Sequence, residues 1–133
     1  MADREGAAQE YCSILESEVA HVPGSLGMTE ASTVPMSAHT AWQALFEQGM
    51  LTGGFGNVPR VDGEGEAVLR QAEGKRVLIL GAAGGVGLFA VQFAKLAGAW
   101  VAGTASSRNK EFLKDIGCDE VSNSRDDVTR LVS

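Results

Sequence analysis

The stretch from Arg76 to Ala90 constrains the fold more than any other part of this 133-residue chain. A β-branched and aliphatic run ends at Leu80, five small residues follow, and a pattern with helical spacing then begins. This layout predicts a strand, a tight turn and a helix N-terminus, where N–H groups and the helix dipole can hold a dinucleotide pyrophosphate. Glycine lets the backbone bend sharply and come close to phosphates. The residues predicted to bind the cofactor at this turn are Gly81, Gly84, Gly85, Val86 and Gly87. A tight turn without a ligand is the alternative interpretation.

Composition narrows the class of protein. An apolar content of 44% with 21% charged residues is ordinary for a soluble globular domain of this length. A formal charge of −6 disfavours nucleic acid as a partner, because phosphate binding needs clustered Lys and Arg. No apolar run approaches the roughly 18 residues of a membrane span, and the acidic N-terminus does not resemble a signal peptide. Two distant cysteines, Cys12 and Cys118, are typical of reduced thiols. We therefore expect a cytoplasmic protein that acts on a small molecule, with no nucleic acid or membrane partner.

After residue 75 the patterns of strand and helix alternate, which predicts an α/β fold with a partial Rossmann-type parallel sheet of about three strands (βαβαβ). The predicted strands are 76–80, 100–104 and 119–122, and the predicted helices are 84–96, 108–116 and one opening at Ser124 with a capping box to Asp127. A strand over 9–15, a loop, and a helix from about Met36 to Gln48 precede them, with Thr29 as a cap of an earlier turn. A glycine-rich surface loop is expected at about 51–66. Residues expected in the core are Met36, Trp42, Leu45, Phe46, Val86, Phe89, Ala90, Phe93 and Ala94.

Three strands make only half of a doubly wound sheet, so at least one edge strand would lack its neighbour. We therefore expect either self-association or a second chain that completes the sheet.

The end of the second predicted strand bears on the choice between NAD and NADP. An acidic residue about 20 residues after the glycines would bind the ribose hydroxyls of NAD. This chain instead has hydroxyl and cationic residues there, which can donate to a 2′-phosphate. NADPH is therefore the predicted cofactor, and the residues predicted to bind it are Thr104, Ser106, Ser107, Arg108 and Lys110. The alternative is that Ser107 caps a helix and the cations form a solvated face.

Six segments together resemble the zinc-independent medium-chain dehydrogenases/reductases, the branch of quinone oxidoreductases and enoyl reductases. They are Gly6-Ala7-Ala8-Gln9-Glu10-Tyr11, Thr40-Ala41-Trp42-Gln43-Ala44-Leu45-Phe46, Gly81-Ala82-Ala83-Gly84-Gly85-Val86-Gly87, Gly103-Thr104-Ala105-Ser106-Ser107, Glu111-Phe112-Leu113 and Gly117-Cys118-Asp119-Glu120-Val121. The resemblance implies that residues 1–22 end a chaperonin-like catalytic domain and that 23–133 form the first half of the nucleotide-binding domain. It also implies that Lys110 binds phosphate and that Thr40 lies near the nicotinamide, with His39 beside it as a second candidate catalytic residue.

No metal site is predicted. Zinc-using relatives have a cysteine ligand near Met36, whereas Pro35-Met36-Ser37 offers no thiolate, and His21 and His39 lack a partner at ligand spacing. The chain also departs from the family at Ser124, where a tyrosine often lies beside the adenosine phosphate.

The resemblance implies an NADPH-dependent oxidoreductase that transfers hydride to a quinone or enone. Family enzymes are more than twice as long, so the alternative is a truncated relative without redox activity, acting as an oligomeric binding module or as a cyclase or isomerase.

Overall fold

A three-stranded parallel sheet in the order β1-β2-β3 forms the centre of the fold, made of β1 (Arg76–Ile79), β2 (Trp100–Ala105) and β3 (Glu120–Asn123). The computed structural model describes residues 8–49, 51–52 and 71–123. Parallel pairing requires a crossover after each strand, and these are α2 (Gly85–Leu96) and α3 (Lys110–Asp115), the latter preceded by a 3₁₀ turn at Ser107–Asn109. The predicted βαβαβ order and parallel sheet are confirmed. Within this βαβαβ unit the ends of the elements lie close to the predicted ones, apart from the shorter α3.

The strand register brings the carboxyl ends of the three strands to one edge of the sheet. Ile79 pairs with Gly103, and Ala105 pairs with Asn123. The turn after β1, the turn after β2 and the last residue of β3 therefore meet along the edge where open α/β sheets bind ligands. Within the described residues, β1 has β2 as its only strand neighbour.

Small residues let α2 lie close to the sheet. Its buried positions are Gly87, Ala90, Val91 and Ala94, a stripe with the spacing of one helix face. The prediction that Val86 faces the core is wrong, since 39% of this residue is exposed. Val86 is one position, about 100°, away from the stripe that begins at Gly87.

Three aromatic side chains connect α2 to the helix that precedes the sheet. The Trp42 ring lies 4.6 Å from Phe46 and 5.7 Å from Phe93 between ring centroids, the latter in an edge-on geometry that suits aromatic pairs. Phe89 joins them at 6.0 Å from Phe93. Phe46 is fully buried and the other three are partly buried, so these four predicted core residues do contact the core.

The helix α1 (Met28–Trp42) begins earlier than predicted and continues into a π-helical segment, Gln43–Gln48, that stops at Gly49. Thr29 is inside the helix and does not cap it. The Glu30 carboxylate instead accepts the Gly27 N–H at 3.0 Å, the back-reaching half of a capping box. Met36 is 83% exposed, so its assignment to the core is wrong; the buried stripe runs through Ala41 and Leu45 instead.

The chain divides into two compact units, Met1–Ser32 and Thr33–Ser133. In the first, residues 9–15 form no strand, which corrects that prediction, and a 3₁₀ turn occupies Glu16–Glu18. In the second, Leu51 and Thr52 are buried and therefore do not belong to a surface loop. The rest of the predicted glycine-rich loop and the helix predicted from Ser124 lie outside the described residues. None of the described helices is long and apolar enough to cross a membrane.

Candidate functional site

Two hydrogen bonds to Thr104 on β2 stabilise the glycine turn between β1 and α2. The Gly81 N–H donates to the Thr104 hydroxyl at 3.0 Å, and the Ala82 N–H donates to the Thr104 carbonyl at 2.9 Å. Gly81 has φ +66°, a left-handed conformation that side chains disfavour. Because Thr104 is buried and its hydroxyl supports the turn, it acts on the site through the backbone of Gly81 and Ala82.

The N-terminus of α2 is built from exposed glycines. Gly84 is the N-cap, and no side chain caps the helix there, so the first N–H groups can serve an anion. A Cβ at Gly85 would meet only the flexible Ser37 side chain, at 3.2 Å from Oγ, whereas a Cβ at Gly87 would lie 2.5 Å from the Gly81 carbonyl oxygen. Packing thus requires glycine at 87. At the exposed position 85, glycine leaves space that a phosphate can use, so the turn fits a dinucleotide pyrophosphate.

Ser37 is a residue at this site that sequence reasoning missed. Its hydroxyl on α1 lies beside the glycine turn. The helical spacing carried a signal, since Ser37, Ala41 and Leu45 are four residues apart and share one face of the helix predicted from Met36.

The two candidate catalytic residues, Thr40 and His39, are both exposed. The Thr40 hydroxyl donates to the Met36 carbonyl at 2.7 Å, an ordinary bond of a helical threonine to the preceding turn. The catalytic assignment of both residues remains a prediction.

Four exposed residues follow β2 at the carboxyl edge of the sheet: Ser106, Ser107, Arg108 and Lys110. The N-cap residues of the 3₁₀ turn and of α3 are Ser106 and Asn109, and neither side chain forms a cap. The Ser107 hydroxyl accepts a hydrogen bond from Asn123 Nδ2 at 3.3 Å. Asn123 is a second residue that sequence reasoning missed, because the predicted third strand ended at Ser122.

A charged clamp fixes the opposite end of β2. Lys95 Nζ lies 2.8 and 3.0 Å from the two Asp119 oxygens, and the Val101 N–H donates to the same carboxylate at 2.7 Å. Burial by itself would raise the pKa of Asp119. The hydrogen bond and charge of the Lys95 ammonium, with the N–H groups of Val101 and of Asp119 itself, outweigh burial and lower this pKa below its usual value. The neighbouring Cys118 thiol is buried, and desolvation raises its pKa. Cys118 is therefore a core residue rather than a reactive one.

A groove of about 840 Å³ extends from the glycine turn along β1. The π-helical segment forms its other wall through Ala44 and Leu45, and the exposed Val86 side chain also lines it. Lys75 lies in the lining, where its ammonium donates to the Leu51 carbonyl at 2.6 Å. The volume is in the range of small-molecule sites, so the turn opens onto a mostly apolar cleft of ligand size.

Among residues 8–49, 51–52 and 71–123, no three His, Cys, Asp or Glu side chains come together in a way that could hold a metal ion. The carboxyl edge of the sheet carries the exposed glycines at the start of α2 and the hydroxyl and cationic side chains that follow β2, a donor set suited to phosphates.

A three-stranded parallel sheet with a glycine turn at its carboxyl edge is an arrangement typical of nucleotide-binding α/β proteins, and comparison with known proteins indicates the family. The sequence model of the family described as "Zinc-binding dehydrogenase" matches residues 85–133. The chain is 41% identical over 121 residues to the "Probable zinc-binding oxidoreductase, mitochondrial" of Arthroderma benhamiae, covering 90% of this chain and 33% of that protein. It is 36% identical over 118 residues to the "NAD(P)H oxidoreductase RTN4IP1, mitochondrial" of Mus musculus, covering 89% and 26% respectively.

A solved structure, the quinone oxidoreductase from Coxiella burnetii, superposes with a TM-score of 0.60 at 33% identity, over 84% of this chain and 29% of that one. These matches support a fragment of the medium-chain dehydrogenase/reductase family, which confirms the resemblance to that family. The chain spans a third or less of the length of these relatives. Both curated relatives have "mitochondrial" in their names, and the cytoplasmic location remains a prediction.

Proposed function

We propose that this chain binds NADPH along the carboxyl edge of its sheet and that the protein is an oxidoreductase acting on a quinone or enone. The observation that carries the proposal is the exposed, uncapped N-terminus of α2, where Gly85 leaves space that a side chain would fill. The name of the mouse relative, an NAD(P)H oxidoreductase, supports the cofactor class, and the name of the Coxiella relative supports a quinone.

Different residues would bind different parts of the cofactor. The N–H groups at the start of α2 would bind the pyrophosphate, and Thr104 would keep the turn in the shape that presents them. Ser106, Ser107, Arg108 and Lys110 would bind the 2′-phosphate at the end of β2, a stretch that contains no carboxylate. The dihydronicotinamide supplies the hydride when bound. The protein binds and orients the cofactor and the substrate, and it excludes water from them. Zinc has no part in the proposal, since Pro35-Met36-Ser37 supplies no thiolate.

The outer edge of β1 is the place where we propose that further strands pair, from this protein or from a second copy. Sedimentation of the purified chain tests the second source. A mass of one 13.9 kDa chain at all concentrations would contradict self-association.

Calorimetric titration of the purified chain with NADPH tests the cofactor proposal. Gly85→Ala should weaken NADPH binding about tenfold or more, because the new methyl group occupies the place of a phosphate contact of roughly 1.5 kcal/mol. Gly24→Ala is the matched control, since a Cβ there meets nothing within 4 Å and its φ is not positive. Unchanged affinity in Gly85→Ala, or no binding of NADPH by the unaltered chain, would contradict the proposal.

A further inference from the structure

We infer that Asn123 is a positioning residue for cofactor choice, which orients the Ser107 hydroxyl as a hydrogen-bond donor toward the 2′-phosphate. The inference rests on the proposed function, because it concerns the same edge of the sheet. It goes beyond that proposal by assigning a role to a residue on a different strand.

The sheet register places Asn123 where it can act on the end of β2. Asn123 is the last residue of β3 and pairs with Ala105, the last residue of β2. Ser107 follows two residues later, as the first residue of the 3₁₀ turn. Sixteen residues of chain separate the two side chains, yet Asn123 Nδ2 lies 3.3 Å from Ser107 Oγ. Asn123 is half-buried while Ser107 is exposed, so a side chain anchored at the sheet edge holds one that faces solvent.

The direction of this hydrogen bond determines whether the Ser107 hydroxyl donates to a ligand or accepts from it. A hydroxyl has one hydrogen to donate and two lone pairs that accept. The Asn123 amide occupies a lone pair of Ser107, which directs the hydroxyl hydrogen elsewhere. A phosphate dianion accepts hydrogen bonds and donates none, so a hydroxyl fixed as a donor matches it. Donation from the amide also polarises the hydroxyl and strengthens its own donation.

The same geometry separates NADPH from NADH. NADH has no 2′-phosphate, so the Asn123–Ser107 pair has no anion to bind in that cofactor. A residue that only stabilised the fold would affect the two cofactors equally, whereas a residue that orients Ser107 should change the affinity for NADPH alone. The ratio of the two dissociation constants is therefore the measurement that distinguishes the roles.

Calorimetric titration with NADPH and with NADH, on the whole chain and four variants, tests the inference. Ser107→Ala should weaken NADPH binding about tenfold, and Asn123→Ala about threefold, with changes under about twofold for NADH. Asn123→Asp keeps the size of the side chain but replaces the donor with an anionic acceptor, so it should weaken NADPH binding by about tenfold or more. Gln92→Glu makes the same amide-to-carboxylate change on an exposed part of α2, and it should leave the ratio unchanged.

The double variant shows whether Asn123 acts through Ser107. If it does, Asn123→Ala should add less than about 1.5-fold to the loss already caused by Ser107→Ala, since coupled residues are not additive. A full threefold loss in that background, or an equal loss for NADPH and NADH in Asn123→Ala and Asn123→Asp, would overturn the inference. Those results would leave the proposed function standing if the unaltered chain still prefers NADPH. Absence of NADPH binding by the unaltered chain would overturn both.

Discussion

Replacing Gly87 with alanine should destabilise the fold, although alanine is the better helix former. A Cβ at this position would lie 2.5 Å from the Gly81 carbonyl oxygen and 2.7 Å from both the Cα and the carbonyl oxygen of Ala82. Ordinary contacts begin at 3.4 Å, and all three atoms are backbone of a turn that Thr104 holds in place. The turn or the helix must therefore move by several tenths of an ångström or more.

The magnitude follows from two opposing effects. Overpacking of this kind costs about 1–3 kcal/mol, and the gain in helix propensity offsets about 0.5–1 kcal/mol of it. The net loss in the free energy of unfolding should be about 1–2 kcal/mol, which lowers the melting temperature of a domain this small by about 5–10 °C.

Gly85→Ala provides the internal comparison for that measurement. Its new methyl group meets only the Ser37 side chain, which can rotate, so its melting temperature should be unchanged or slightly raised. Thermal unfolding followed by far-ultraviolet circular dichroism measures both variants. If Gly87→Ala were as stable as Gly85→Ala, the assignment of Gly87 to packing and of Gly85 to ligand binding would be refuted.

Three further predictions concern the supports of the site. Thr104→Val removes the hydroxyl that accepts the Gly81 N–H, so it should lower the free energy of unfolding in urea by about 1–2 kcal/mol. It should weaken the binding of NADPH and of NADH equally. A loss of NADPH binding alone would contradict the role of Thr104 as a support of the turn. Asp119→Asn breaks the ion pair with Lys95, whose two side chains are about a third exposed. This change should lower the free energy of unfolding by about 1 kcal/mol near neutral pH. Because the pKa of Asp119 is lowered in the folded state, its contribution to stability is present above the unfolded pKa and is lost as pH falls through the folded pKa. Lowering the pH should therefore destabilise the unaltered chain more than Asp119→Asn. Parallel curves of stability against pH for the two proteins would contradict this. A thiol reagent at pH 8 should label the exposed Cys12 quickly and Cys118 only after urea is added, since Cys118 is 4% exposed and has a raised pKa; rapid labelling of two thiols would show that the core opens.

The parts of the fold that depend on local sequence could be predicted. The run from Arg76 to Leu80, the glycines after it and Gly117 at the end of α3 are signals carried by neighbouring residues, and the structure has the expected strand, turn and helix end there. Such signals depend on backbone conformation and helix spacing, which a short window contains.

The wrong predictions concern residues whose conformation or burial depends on tertiary packing. The pattern at 9–15 resembles a strand, but a strand needs a neighbour to pair with, and the structure gives these residues no ladder. Val86 is apolar, yet the close approach of α2 to the sheet selects Gly87 for the buried face. At the site, the hydrogen bond between Asn123 and Ser107 depends on the register of two strands, which no single segment of sequence specifies.

The most direct test of the account is nuclear magnetic resonance of the ¹⁵N-labelled chain, whose 13.9 kDa mass suits the method. The account predicts that NADPH shifts the backbone N–H signals of Gly85 and Val86 together with those of Ser106 and Ser107. NADH should shift the first pair and leave the second nearly unchanged. Shifts confined to the groove along β1, or no shift of the Gly85 and Val86 signals at saturating NADPH, would contradict the claim that the N-terminus of α2 holds the cofactor.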